Sequence, residues 1–465
     1  MAAPARHGWT PVTAPGPTGG DMLRSFGLIR SDALGFLEWS WRTYGDVVQF
    51  PIPTPPTYLI TSPEGVRRVL QANHRGYGKA TVQYRNLALV TGDGLLAADT
   101  EAWRRQRTAV QPAFHPRAVA AVADHSAAAA AELSRAWARK GEGAVVDVED
   151  DMMQTALRIV GAALFGADLR TQSAELVAAT QQGLAAVVAR TRNPLAPPLR
   201  VPTPGNVRLR RAVRRLDRAV ADIVADRRRA GARRQPSADE PQDMLDVLLA
   251  DQSLSPTELR DQIVTFIVAG HETVASALTW SWYLLGSHPE ASARLEQEAA
   301  SVFGPDGLPT FDDLPRLRWA SAVFDESLRL YPPGWIISRK ARAADEIDGH
   351  PIPAGALVLI SPYLVHRHGC GYEAGDEVFD PQRFLDRPPT ARSAYLPFGA
   401  GPRLCIGREM ARAEGAIVLS VLARRWRLRL LPGRQIERNP MVMLKPRGGL
   451  PMSLHGVEGW ADAAR

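Results

Sequence analysis

One of the two cysteines in this 465-residue chain, Cys405, lies in the run Phe398-Gly399-Ala400-Gly401-Pro402-Arg403-Leu404-Cys405-Ile406-Gly407. Glycines at this density let the backbone turn tightly and approach a planar ligand. The apolar run MARAEGAIVLSVLA that follows predicts a helix, so the thiol stands just ahead of a helix N-terminus. Free backbone N–H groups and the helix dipole favour a thiolate there, and a thiolate is a metal ligand. Three plainer readings compete. Single cysteines are most often inert core residues. A dinucleotide loop would need glycine where Leu404 stands and a strand immediately before it. A structural zinc site would need further cysteine or histidine at short spacing, and none is there.

A second group capable of chemistry is Ala269-Gly270-His271-Glu272-Thr273. Small residues leave room beside a helix, while a carboxyl and a hydroxyl can pass protons. The plain alternative is a threonine bonding back to its own helix with Glu272 on a surface. The element that positions them is legible: Ser255-Pro256-Thr257-Glu258 is a capping box with proline at the first helical position. Apolar residues then run from Ile263 to Leu285, which predicts a helix spanning roughly 45 Å. It is apolar nearly all round, so it is expected to be a buried central helix. A membrane span competes, but ionisable residues at its middle are expensive in lipid.

The cysteine run resembles the haem-binding loop of the cytochrome P-450 superfamily, Phe-x-x-Gly-x-Arg-x-Cys-x-Gly, at all five specified positions: Phe398, Gly401, Arg403, Cys405 and Gly407. The resemblance implies a mainly α fold with small peripheral β-sheets, and haem b held between the long central helix and the cysteine-loop helix. Cys405 would be the axial ligand of the haem iron, with Phe398 and Gly399 in its loop. Trp103, Arg107, Arg339 and Arg403 would meet the haem propionates, for which the guanidinium fork is suited. Ala269 and Gly270 would leave room for dioxygen, and Thr273 and Glu272 would deliver protons. Glu326 and Arg329, with Arg383, match the family's structural Glu-Arg-Arg network. The implied reaction is monooxygenation, in which thiolate donation favours cleavage of the O–O bond.

Three stretches, KATVQYRNLALVTGDGLL, AGHETVASALTWSW and LRLYPPGWIISR, resemble a narrower group, the bacterial β-carotene 3-hydroxylases known from thermophiles. In the superfamily these regions border the substrate. Val82, Gln83, Tyr84, Leu87, Leu89, Ile267, Val268, Trp335, Ile336 and Ile337 would form a long apolar wall, suited to a carotenoid and equally to a fatty acid or terpene. No flavin or nicotinamide fingerprint is present, so electrons from NAD(P)H are expected through ferredoxin and ferredoxin reductase. A peroxygenase and a haem sensor or carrier are the rival readings. The Glu272-Thr273 pair speaks against the first, and the lack of an attached output segment against the second.

The rest of the chain sets the frame. It is 45% hydrophobic and 23% charged, a globular balance. Two cysteines suit a reducing, cytoplasmic setting. The Pro/Gly-rich start has no signal peptide or membrane anchor, so residues 1–20 are expected to be flexible and 21–465 to form a single haem domain. Peripheral contact with a lipid surface is compatible with a carotenoid substrate. A net charge of +7 suits an acidic protein partner. The basic run from Val207 to Arg229 is read as the solvated face of an amphipathic helix carrying Leu209, Val213, Leu216, Val220 and Ile223, not as a nucleic-acid site. HRHGCGYEAGD, with Cys370, is read as an ordinary loop and not a metal site.

Overall fold

The computed structural model describes residues 12–52, 55–166, 173–193, 196–231, 243–304, 306–368, 377–386 and 394–457. Cys370 lies outside them. The backbone packs as two compact units, each assembled from separated stretches of chain. One takes residues up to Tyr84, Trp335–Glu377 and Pro389–Leu404; the other takes Arg85–Gly334, Val378–Pro388 and everything from Cys405 onward. The body is mainly helical with small sheets, as expected.

The first unit is built on a five-stranded sheet. Val47–Phe50 pairs antiparallel with Thr57–Ile60, which runs parallel to Leu357–Ile360; Ile337–Ala341 and Tyr77–Gly78 complete it. Every residue of the first two strands is buried, so apolar and β-branched side chains fill both faces. Tyr58, Ile60, Val358 and Ile360 share one core with Val69, Leu70 and Leu396. Ser62 caps the helix Pro63–Arg67 through the Gly65 N–H at 3.0 Å, and the chain winds on through one π-turn at Arg68–Ala72.

Thr13, Ala14 and Pro15, within the stretch expected to be flexible, bond to the first strand. Gln49 Oε1 accepts from the N–H groups of Thr13 (2.7 Å) and Ala14 (3.1 Å), and Gln49 N–H donates to the Pro15 carbonyl (2.8 Å). Composition hid this because a Pro/Gly-rich segment can extend a sheet's hydrogen bonding with few apolar side chains.

The second unit is organised around Pro256–Ser287. Its capping box is formed as the sequence predicts, with Ser255 and Glu258 bonding reciprocally. It packs against Val148–Phe165, Arg318–Leu330 and Arg408–Ala423. Among the described residues it is the one helix long and apolar enough to cross a membrane, yet 83% of its apolar window is buried inside the protein. A two-stranded hairpin, Arg438–Pro440 with Leu444–Pro446, is pinned to it. The Leu444 carbonyl accepts from Ser276 Oγ (2.7 Å) and Trp280 Nε1 (2.8 Å), while Leu444 N–H donates to the Pro333 carbonyl (3.0 Å).

Two sequence readings settle here. In Pro204–Gly231, Leu209, Leu216, Val220 and Ile223 are buried and Val213 partly so, which turns the arginines outward. Arg329 forks onto Glu326 (2.7 and 2.8 Å) with both side chains fully buried, and Arg383 Nε reaches Glu326 Oε1 at 3.1 Å. Asp380 N–H also donates to Glu326, and both arginines donate to the Val378 carbonyl. The carboxylate is thus saturated, the condition under which a buried ion pair holds a loop in place.

Candidate functional site

Cys405 is the first residue of the second unit's C-terminal stretch, and the helix Arg408–Ala423 begins three residues later with Gly407 as its cap. The thiol keeps exposed surface while protein crowds its other sides. That crowding pushes the thiol up; the Gly407 N–H, Arg107 and Arg408 pull it down, and the crowding wins. The sequence reading expected a helix terminus alone to favour the thiolate. A bound cation would add to the pull of the Gly407 N–H, Arg107 and Arg408 toward the thiolate. A coordinated metal supplies that charge and deprotonates a thiol outright.

Arg107 lies near Cys405, on the helix Thr100–Val110 that also carries Trp103; burial pushes its guanidinium down and the Cys405 thiolate pushes it up. Both side chains are half-buried, one turn apart on one helical face. Within the first unit, Gly399 and Gly401 adopt φ of +74° and +70°. A Cβ at Gly401 would fall 2.0 Å from the Leu70 carbonyl oxygen, so only glycine lets the loop lie against Arg68–Ala72. Phe398 and Arg403 are half-buried in the same loop. Arg339 is 7% exposed and donates to the Ser338 carbonyl (2.9 Å) and the Tyr84 hydroxyl (3.5 Å). His366 accepts from Leu396 N–H at 2.9 Å, so this histidine of HRHGCGYEAGD anchors the chain ahead of the cysteine loop.

On the central helix, buried positions run from Asp261 to Leu285 with gaps chiefly at Ala269, Gly270 and Thr273. These three share one face at helical spacing. They form an accessible patch of small residues on an otherwise buried helix. The Thr273 hydroxyl donates to the Ala269 carbonyl at 2.7 Å, the plain alternative weighed above, and retains lone pairs to accept from a neighbour. Gly270 has a packing role as well, because a Cβ there would meet Val160 Cγ2 at 2.8 Å.

Glu272 is not on a surface. It is 2% exposed, and its Oε1 lies 3.4 Å from Lys445 Nζ, which also stands 3.7 Å from Glu149 Oε1. Lys445 and Glu149 were missed in the sequence. They come from a late strand and from the start of Val148–Phe165, and no local spacing links either to the helix.

The expected apolar wall is placed unevenly. Ile267 and Val268, expected in this wall, are fully buried on the central helix. Val82 is 39% exposed at the start of Val82–Thr91, where Leu87 is buried and Leu89 partly buried. Gln83 carries a buried Oε1 without a hydrogen-bond partner, and the Tyr84 ring lies under Lys79 Nζ at 4.7 Å. In the first unit Trp335 is 6% exposed, its carbonyl accepting from Ser361 Oγ at 2.8 Å, with Ile336 and Ile337 half-buried beside it in sequence.

The donor chemistry fits an iron-bearing planar ligand: one open thiol in a glycine-shaped loop, and arginines suited to acidic substituents. Among the described residues no three His, Cys, Asp or Glu side chains gather to hold a metal by themselves. Comparison with known proteins agrees. A family model described as Cytochrome P450 matches residues 15–451. Cyclooctat-9-en-7-ol 5-monooxygenase of Streptomyces melanosporofaciens is 36% identical over 93% of this chain and 92% of the relative. Pentalenene oxygenase of Streptomyces avermitilis is 34% identical over 86% of this chain and 87% of the relative. The crystal structure of CYP175A1 from Thermus thermophilus superposes with a TM-score of 0.75 at 32% identity, covering 95% of this chain and 100% of that one.

Proposed function

Because the chain belongs to the cytochrome P450 family, whose members use haem, dioxygen and electrons from a redox partner, we propose that it is a monooxygenase hydroxylating a cyclic terpenoid hydrocarbon. The accessible patch of Ala269, Gly270 and Thr273 on a buried helix carries the reading, since it offers a face of small residues with one hydroxyl. The relatives named for pentalenene and cyclooctat-9-en-7-ol support the substrate class. The β-carotene reading rests on the resemblance of short sequence segments and is the alternative substrate class.

Haem bound at Cys405 supplies dioxygen activation and insertion of one oxygen atom into a carbon–hydrogen bond. The chain's own residues do the rest. Cys405 holds the iron and, as an anion, is balanced by the Gly407 N–H, Arg107 and Arg408. Trp103 and Arg107, on the helix near Cys405, would meet the acidic groups of the haem. Ala269 and Gly270 keep side-chain bulk away, Thr273 presents its hydroxyl, and Glu272 feeds protons to it. Electrons arrive from NAD(P)H through a separate reductase and an acidic ferredoxin, which the net charge of +7 attracts.

The test is a reconstituted assay with a surrogate ferredoxin and reductase, offering cyclic terpene hydrocarbons, β-carotene and fatty acids in parallel. Hydroxylated terpene with little product from the other two is the expected result. Ring-hydroxylated β-carotene as the main product would replace the terpenoid reading with the carotenoid one.

A further inference from the structure

Beside the accessible patch, on the buried side of the central helix, Glu272 meets two charged side chains that the reaction so far does not use. Lys445 Nζ lies between Glu272 Oε1 (3.4 Å) and Glu149 Oε1 (3.7 Å), and its remaining near neighbour is Met153 Sδ at 3.9 Å. Side-chain exposure falls inward along this row, from 17% at Glu149 through 12% at Lys445 to 3% at Glu272. Glu272 Oε1 has no hydrogen-bond partner, so the ammonium is its one close polar neighbour among the described residues. The strand that carries Lys445 cannot drift, because Leu444 is tied through its carbonyl and its N–H.

We propose that Glu149 and Lys445 supply Glu272 with protons from solvent: Glu149 is the outer acid, and Lys445 is the shared counter-ion that ties it to the inner one. The proposal rests on the reading of Glu272 and Thr273 as the acid and hydroxyl that face the reaction.

Charge arithmetic supports it. Two carboxylates and one ammonium leave one net negative charge in a low-dielectric interior, a state that one added proton relieves. Burial pushes Glu149 up, Lys445 opposes this, and Asp147 and Glu272 reinforce it, so the outer acid is prone to hold that proton. His271 is the other titratable group beside Glu272. Its Nδ1 bonds the Ile267 carbonyl at 2.6 Å and burial pushes its imidazole down, so it adds no second positive charge at neutral pH. In the step itself, the Glu149 carboxyl gives its proton to a solvent water, which gives one of its own to the Glu272 carboxylate. Lys445 supplies the counter-charge, first to Glu272 and then to Glu149. Water then reprotonates Glu149, and no electrons move. Both residues act through Glu272 and are positioning residues in that sense.

The experiment uses the haem-loaded protein with a surrogate ferredoxin, its reductase, NADPH and limonene as the apolar probe, following oxygen uptake and peroxide released per NADPH. Glu272→Gln should slow turnover about 10²-fold, the lower end of general-acid effects. Glu149→Gln and Lys445→Met should slow it by a smaller factor and raise the peroxide fraction, Lys445→Arg should restore most of it, and the E149Q/E272Q double variant should be no slower than E272Q. A second readout needs no turnover: infrared difference spectra of the resting protein should contain a protonated-carboxyl stretch that E149Q removes and K445M shifts. If E272Q is impaired while E149Q and K445M behave as wild type, the supply route is wrong and the acid–hydroxyl reading stands. If E272Q itself behaves as wild type, that reading fails and takes the route with it. Equal impairment in K445M and K445R, or additive losses in the double variant, would show a packing role and overturn the proposal. Should K445M fail to load haem, E149Q and K445R carry the test.

Discussion

Two glycines of the cysteine loop have nearly the same backbone angle and opposite surroundings, which makes them a matched pair. Gly399 has φ of +74° with nothing within 4 Å of a built Cβ, whereas at Gly401, φ of +70°, the Cβ would fall 2.0 Å from the Leu70 carbonyl oxygen and 3.0 Å from its carbon. Alanine in the left-handed region costs roughly 1–2 kcal/mol, and the reduced freedom of the unfolded chain returns about 0.4–1 kcal/mol of it. Gly399→Ala should therefore lose about 0–1.6 kcal/mol. Gly401→Ala carries the same term and must also displace backbone, an overpacking penalty of about 1–3 kcal/mol, so it should lose about 1–4.6 kcal/mol in all. Urea unfolding of both variants with haem bound gives the difference from their midpoints. The carbon-monoxide spectrum of the reduced protein reports whether the loop still presents its thiol. Equal midpoints within about 0.5 kcal/mol would refute the reasoning, because the whole predicted gap comes from one contact.

Cys405→Ser should abolish the strongly red-shifted Soret band of the reduced carbon-monoxide complex; a histidine-type spectrum in the wild type would remove Cys405 from its role. Glu414, in the cysteine helix, is 3% exposed with an unpartnered Oε1, and burial raises it well above the ordinary carboxyl range. The folded chain then keeps a proton that the unfolded chain releases above about pH 4.3, so stability falls as pH rises through that window, by up to about 1.4 kcal/mol per pH unit. Glu414→Gln should flatten this slope in denaturation midpoints measured from mildly acidic to mildly alkaline pH, and parallel profiles for the two proteins would contradict it. Glu326→Gln leaves the fully buried Arg329 without its counter-charge and should cost about 3–5 kcal/mol in chemical denaturation.

What could be read in the sequence was what depends on short spacing. Ser255 and Glu258 close a capping box three residues apart, and the buried stripe of Pro204–Gly231 follows from helical periodicity. The cysteine loop was legible because its pattern fits in ten residues. Glu326 and Arg329 were visible as a spacing that carries almost no information until Arg383 and Asp380 arrive from elsewhere. The readings that failed needed a direction or a distant partner. Which side of the central helix Ile267 and Val268 face could not be read from their being apolar and near the motif; both are fully buried. Lys445 reads in sequence as an ordinary strand lysine, and its meeting with Glu149 and Glu272 is a fact of packing alone.

The clasp on Leu444 bears on how this chain can vary in length. Both of its polar backbone atoms are engaged, the carbonyl twice and the N–H once, and none of these bonds involves the leucine side chain. The hairpin is therefore fixed at one residue by contacts blind to side-chain identity. Residues added or removed in the exposed stretch from Gly433 to Glu437 shift what precedes that point and leave its register untouched. Deleting Lys445 has no such slack, since it removes the ammonium and turns the residues that follow to the other side of the strand. Indel tolerance should change abruptly at this one residue.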